Sequence, residues 1–143
     1  MSAAEARIAR RVDHVGIVVR DAQAAIDWYA DSFGFVVDSD ELIHGDAHNV
    51  RLVFLVPGAD AAPGATALQL LAPFADGPIG RYLAEHGEGL HHVCFAVDDV
   101  AATTRALGDE STQPFVGGKG RLCSFPSGVP SDVRLELVQE EPA

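Results

Sequence analysis

The sequence predicts an α+β fold built from two βαβββ modules, and two observations predict it. The first is an internal repeat. Asp13-His14-Val15-Gly16-Ile17-Val18-Val19-Arg20-Asp21 aligns with His91-His92-Val93-Cys94-Phe95-Ala96-Val97-Asp98-Asp99, so His14 falls on His92 and Asp21 on Asp99. Ala67-Leu68-Gln69-Leu70-Leu71 aligns likewise with Arg134-Leu135-Glu136-Leu137-Val138, which places Gln69 on Glu136. The second observation is periodicity: each repeat passes from a β-branched run into helical spacing and then into further strand-like runs.

Residues 12–19 are apolar and β-branched, as a buried strand requires. Asp21 is placed to cap a helix on which Ala24, Ala25, Trp28, Tyr29 and Phe33 recur at helical spacing, and Gly34 ends it. Residues 35–37, 50–56 and 66–71 read as strands. Residues 38–49 read as a polar, His-bearing loop or edge hairpin, and 57–64 as a turn-rich loop. Pro78 opens a short helix through Leu83, closed by the Gly87 to Gly89 stretch. The second module repeats the plan: a strand over 90–97, a helix over 100–107 capped by Asp98 or Asp99, then strands over 113–116, 121–125 and 133–139. The chain is expected to be one domain over 1–143, with module one at about 12–74, a connector at 75–89 and module two at about 90–140.

Composition narrows the function. Hydrophobic residues make up 48% of the chain and the formal net charge is −11. The charge argues against nucleic acid or an anionic membrane as partner, and it also works against steering of anionic metabolites. No apolar run approaches the roughly 20 residues that span a bilayer. The first residues lack the apolar centre of a signal peptide, so the expected location is cytoplasmic. Cys94 and Cys123 lack the spacing of a disulfide or zinc pair, and Cys94 lies within an apolar strand, where a buried thiol is expected.

The repeat carries chemistry. Side chains alternate along a strand, so His14, Gly16 and Val18 share one face, as do His92, Cys94 and Ala96. Small residues beyond each His leave room for a pocket. Gln69 and Glu136 sit between apolar neighbours, where a polar group needs a partner. A lone His on a strand is usually structural. Four polar residues at equivalent places in a duplicated unit instead form a ligand set, His14, Gln69, His92 and Glu136, for one divalent metal. His91 faces opposite to His92 and is left outside that set.

With the repeat read, the chain resembles the vicinal oxygen chelate (glyoxalase, bleomycin-resistance and dioxygenase) superfamily, and within it methylmalonyl-CoA epimerase. The resemblance is carried by Ala72-Pro73, Gly77-Pro78-Ile79, Tyr82-Leu83, Gly87-Glu88-Gly89-Leu90-His91-His92-Val93, Val97-Asp98-Asp99 and Leu135-Glu136-Leu137-Val138-Gln139, and it spans residues 12–139. It implies a glyoxalase-like fold and a metal held at His14, Gln69, His92 and Glu136, commonly cobalt or manganese, with zinc, nickel or iron as alternatives. It also implies a homodimer and a coenzyme A thioester as substrate. Three departures stand out. Leu52 occupies the position of a second glutamate in some bacterial epimerases. Phe125-Pro126-Ser127 replaces the family's His-Pro-Lys. The 38–49 stretch lacks the family's acidic run.

An ion held by two neutral His, a neutral Gln and one carboxylate keeps about one net positive charge, enough to stabilise a developing enolate oxygen. Glu136 is the expected general base. Gln69, its repeat partner, cannot take a proton, so a second donor is sought in the 38–49 stretch at His44, Asp46 or His48, with His48 the leading choice. A metal-bound water is the alternative. Lys119 and Arg121 flank Gly117-Gly118-Lys119-Gly120, a turn suited to a phosphate, and are expected to bind substrate. The activity expected is epimerisation of a short branched acyl-CoA. The alternatives are a glyoxalase-like lyase or isomerase acting on another oxygen-chelating metabolite, or a non-catalytic antibiotic-binding protein.

Overall fold

The structure is a computed structural model and describes residues 1–140. Its strands are β1 (Arg11–Val18), β2 (Val36–Ile43), β3 (Val50–Val56), β4 (Ala67–Pro73), β5 (Gly89–Val97), β6 (Phe115–Val116), β7 (Leu122–Ser124) and β8 (Leu135–Gln139). Its helices are α1 (Ala3–Ala6), α2 (Ala22–Phe33), α3 (Pro78–His86) and α4 (Val100–Ala106). The chain divides into two compact units, one of residues Val15–His91 and one of Met1–His14 with His92 onward. The boundary therefore passes through β1 and through β5.

In the Val15–His91 unit the strand order is β2-β3-β4-β1. The β2–β3 and β3–β4 pairs are antiparallel. α2 covers one face, where Val53, Leu55, Leu70, Ala72 and Ala22 pack together with Tyr29 and Phe35. α3 covers part of the other, with Val18, Val50, Leu52 and Leu71 against Ile79, Tyr82 and Leu83. With apolar groups on both faces, β3 and β4 read as nearly continuous apolar runs. α2 starts where the Asp21 carboxylate accepts from the Ala24 N–H at 3.0 Å and stops at Gly34, whose φ is +72°. β2 is longer than its sequence suggests. It is an edge strand with mostly exposed side chains, so half of it looks like a polar loop. A bulge between Val37 and Ser39 shifts the register, and Asp40 accepts two hydrogen bonds from Arg51 on β3, at 3.0 and 2.7 Å.

In the other unit the order is β1-β5-β8-β7-β6. β5 pairs parallel with β8, and β7 pairs antiparallel with both β6 and β8. α4 makes the crossover between parallel strands. Asp99 caps it by accepting from the Ala102 N–H at 2.9 Å, the counterpart of Asp21 on α2. Thr104 Oγ1 donates to the Val100 carbonyl, and it lies 3.0 Å from Ser124 Oγ, tying α4 to β7. α1, absent from the sequence reading, begins with a capping box between Ser2 and Glu5. β6 and β8 are shorter than expected because a loop runs to Pro114 and a 3₁₀ turn occupies Pro130–Asp132.

Gly77, at the start of α3, is held against the loop that precedes β3. A Cβ there would lie 2.3 Å from the His48 carbonyl oxygen. Gly77→Ala is expected to destabilise the protein by about 1–3 kcal/mol as an overpacking change. The shift should appear in the urea midpoint with an unchanged slope.

Candidate metal centre

His14 on β1, His92 on β5 and Glu136 on β8 converge within one unit. The parallel register sets Cys94 opposite Glu136, so Glu136 shares a face with Cys94 and His92. All three ligand candidates are buried. His14 Nε2 lies 3.1 Å from His92 Nε2 and 3.0 Å from Glu136 Oε1, and His92 Nε2 lies 3.4 Å from that oxygen. Glu136 Oε1 nevertheless takes no hydrogen bond with acceptable geometry, although it is buried. The three candidate ligand atoms thus form a compact triangle with sides of 3.0, 3.1 and 3.4 Å. Donors bound at about 2.0–2.2 Å and at right angles to an ion stand about 3 Å apart. The triangle therefore fits one face of a divalent coordination shell.

The charge state fits as well. His14 Nδ1 is 2.7 Å from Asp13 Oδ2, which makes it the donor and leaves Nε2 with a lone pair in the neutral ring. Burial would raise the Glu136 pKa, but contacts to His14 and His92 outweigh it and lower the carboxyl to about 2. Burial likewise pulls the His14 pKa down, but the hydrogen bond to Asp13 and the nearby Glu136 carboxylate reverse this and the net shift is upward.

Sequence reasoning missed the layer behind the ligands. Arg121 grips both oxygens of Asp13, each at 2.8 Å, and Arg11 Nη1 reaches Asp13 Oδ1 at 2.7 Å. Burial favours a neutral Asp13, yet hydrogen bonds from His14 and Arg121 hold its pKa well below the usual carboxylate range. The Asp13-His14 dipeptide was the available signal, but strand alternation assigns adjacent residues to opposite faces and hides their contact. Phe125 stands edge-on to His92 with ring centroids 5.7 Å apart, and it stacks on Phe115 at 5.8 Å.

The remaining expected residues fall as follows. Gln69 lies on β4 in the other unit. It is buried, and its Oε1 has no hydrogen-bond partner. Arg121, expected on substrate, is largely buried and its guanidinium is committed to Asp13. Lys119 is exposed in the 3₁₀ turn Gly118–Gly120 with φ +60°. His91 is half-buried, edge-on to Tyr82 at 4.6 Å. His44 packs on Phe74 and is exposed, as is Asp46, while His48 is half-buried. Cys94 can be grouped with Asp13 and His14 as a second ligand cluster. Burial pushes the Cys94 thiol far up in the protein without an ion.

Residues 13–125 match the Glyoxalase/Bleomycin resistance protein/Dioxygenase superfamily, and the chain belongs to it. Its α+β fold is the glyoxalase-like fold of that superfamily. It is also similar to methylmalonyl-CoA epimerases, which are isomerases. The mitochondrial enzyme of Mus musculus is 32% identical over 143 residues, covering 93% of this chain and 73% of that one. The ethylmalonyl-CoA/methylmalonyl-CoA epimerase of Cereibacter sphaeroides is 32% identical, covering 80% and 86%. A variant of the Streptomyces coelicolor methylmalonyl-CoA epimerase, solved with 2-nitronate-propionyl-CoA, superposes with a TM-score of 0.79 at 32% identity, covering 94% of this chain and 100% of that one.

Four outcomes are expected by calorimetric titration with cobalt. His92→Ala should abolish binding, Asp13→Asn should weaken it about 10–100-fold by releasing the His14 ring, and His91→Ala should leave it within a few-fold. Affinity should also fall as pH drops through the raised His14 pKa, because protons compete for Nε2. Glu136 stays ionised to about pH 2 and adds nothing to that fall.

Proposed function

We propose that this chain is a metal-dependent epimerase of a short branched acyl-CoA, methylmalonyl-CoA. It would act as a single vicinal oxygen chelate domain in a cytoplasmic homodimer. The observation that carries the reading is the buried triangle of His14, His92 and Glu136, set in a chain about 32% identical to epimerases of that substrate. Gln69 is the fourth ligand that the internal repeat and the family resemblance add, by its alignment with Glu136 in the sequence. Cobalt or manganese is the proposed ion. When bound, such an ion would stabilise negative charge on the thioester oxygen as the α-proton leaves.

The chain's own residues do the rest. Asp13 and Arg121 hold the His14 ring in the tautomer that leaves Nε2 open. Glu136 binds through one oxygen and takes the α-proton at the other. Phe125 and Phe115 keep water from the His92 side, which strengthens every polar contact inside. Lys119 offers a cation for a coenzyme A phosphate.

The test is proton NMR of metal-loaded protein with one epimer of methylmalonyl-CoA in deuterated water. α-Deuteration and appearance of the other epimer are expected. Glu136→Gln should lose exchange by at least about 10²-fold, and Lys119→Ala should raise KM several-fold with kcat unchanged. A metal-loaded wild type that neither exchanges nor interconverts the substrate would replace this reading with a glyoxalase-like lyase or isomerase, in keeping with Phe125 and Ser127 at the departed positions.

A further inference from the structure

We propose that Asp109, in the loop after α4, is a positioning residue for the metal centre, acting through Phe125 on the orientation of the His92 ring; this rests on the metal-dependent reading above. Every residue involved lies in the unit that holds the ligand triangle. Phe125 meets the His92 ring edge-on, at an interplanar angle of 87°, and lies nearly flat on Phe115, at 9°. It is packed against a ligand candidate, yet it stands just beyond the end of β7, outside the strand ladder. Its place is set from either side, and α4 with the loop behind it supplies both holds.

The first hold is at Ser124, whose buried hydroxyl lies 3.0 Å from Thr104 Oγ1 on α4. The second is at Ser127. Its N–H and its hydroxyl both donate to Asp109 Oδ2, at 2.8 and 2.9 Å, and the Thr112 hydroxyl adds a third donor there at 2.6 Å. Asp109 Oδ1 accepts from the Ser111 N–H, the Ser111 hydroxyl and the Thr112 N–H at 2.9–3.1 Å. The Asp109 N–H donates in turn to the Thr104 carbonyl at 3.2 Å, so one residue fastens both the loop and Ser127 to the end of α4. Between Phe125 and Ser127 stands Pro126, which fixes its own φ and restricts the residue before it to extended backbone. The link from carboxylate to ring is therefore short and stiff.

Hydrogen bonds, rather than packing, hold this loop. A cavity of about 280 Å³ opens between it and α4, with Ala101, Thr104, Arg105, Asp109, Thr112 and Pro114 in its lining. An ionised carboxylate is an acceptor only, which suits the six donors gathered on it, whereas a carboxamide would turn an N–H₂ toward three of them. Those donors, the Thr112 hydroxyl first and then Ser127, hold the Asp109 carboxyl well below the usual carboxylate range. Without the carboxylate, Ser127 is released and the Phe125 ring is free to turn from His92, while all three ligand atoms remain in the chain.

The experiment compares the full wild-type chain with Asp109→Asn, first without an ion. In proton–carbon NMR the His92 Hε1 resonance, identified by its loss in His92→Gln, carries the ring current of Phe125. It should move in Asp109→Asn toward its position in Phe125→Ala. Adding Asp109→Asn to Phe125→Ala should move it no further, a coupling that a general loosening of the fold would not produce. Calorimetric titration with cobalt should give an affinity about 10-fold lower in Asp109→Asn, and Asp109→Glu should recover part of that loss. An unmoved His92 resonance or an unchanged cobalt affinity in Asp109→Asn overturns the proposal, as does a shift in the double variant as large as in the single one. A wild type that binds no cobalt overturns the metal-dependent reading, and the His92 resonance still tests the Asp109 link. If Asp109→Asn fails to fold by thermal melting, Ser127→Ala removes one of the two Ser127 donors. The resonance should then move the same way by less, and an unmoved one overturns the proposal.

Discussion

A carboxylate removed from water is stable only if its charge is met at close range, and Asp13 is buried with Arg121 across both its oxygens and Arg11 on one of them. That arrangement does more than neutralise a charge. It leaves Asp13 ionised as an acceptor, so the His14 Nδ1–H has one partner and one orientation, and Nε2 is turned toward His92 and Glu136. Without Arg121, Asp13 would lose two of the contacts that hold it ionised, and with them much of what fixes the ring. The ligand triangle therefore depends on a guanidinium that touches none of the ligands.

Strand pairing supplies the rest of the precision. Parallel pairing of β5 with β8 puts Glu136 beside Cys94, one step from His92 along a shared face. Cys94, Ala96, Cys123 and Val138 pack behind it as a cluster of small and medium groups. Burial pushes the Cys123 thiol up to about 12, so both thiols stay protonated and behave as apolar filling. Phe125 stacks on Phe115 and meets the edge of the His92 ring, which sets an apolar wall beside that ligand candidate.

The duplicated pattern made His14, His92 and Glu136 legible, because symmetry between repeats raises four separate weak signals together. The helix caps at Asp21 and Asp99 were legible for a local reason, since a carboxylate just before a helical run has one favourable use. Arg121 was not. A cation beside glycines reads as a phosphate contact, and only tertiary structure brings it to Asp13 from more than a hundred residues away. The full length of β2 was hidden because an edge strand that faces water on one side reads as a loop. The register of β2 was hidden with it, since pairing with β3 and the bulge after Val37 set it.

The chain's division has a consequence for how the protein is made. The Val15–His91 unit is one continuous stretch, whereas the unit that holds the ligand triangle is assembled from two stretches on either side of it. During synthesis the continuous unit can collapse as soon as α3 and the start of β5 have left the ribosome. His14 must wait, tethered in an unfinished β1, until β8, far later in the chain, brings Glu136. The unit that holds the triangle thus closes late and through long-range contacts, the kind that set a slow step in folding. No nascent fragment that stops short of β8 contains the complete triangle.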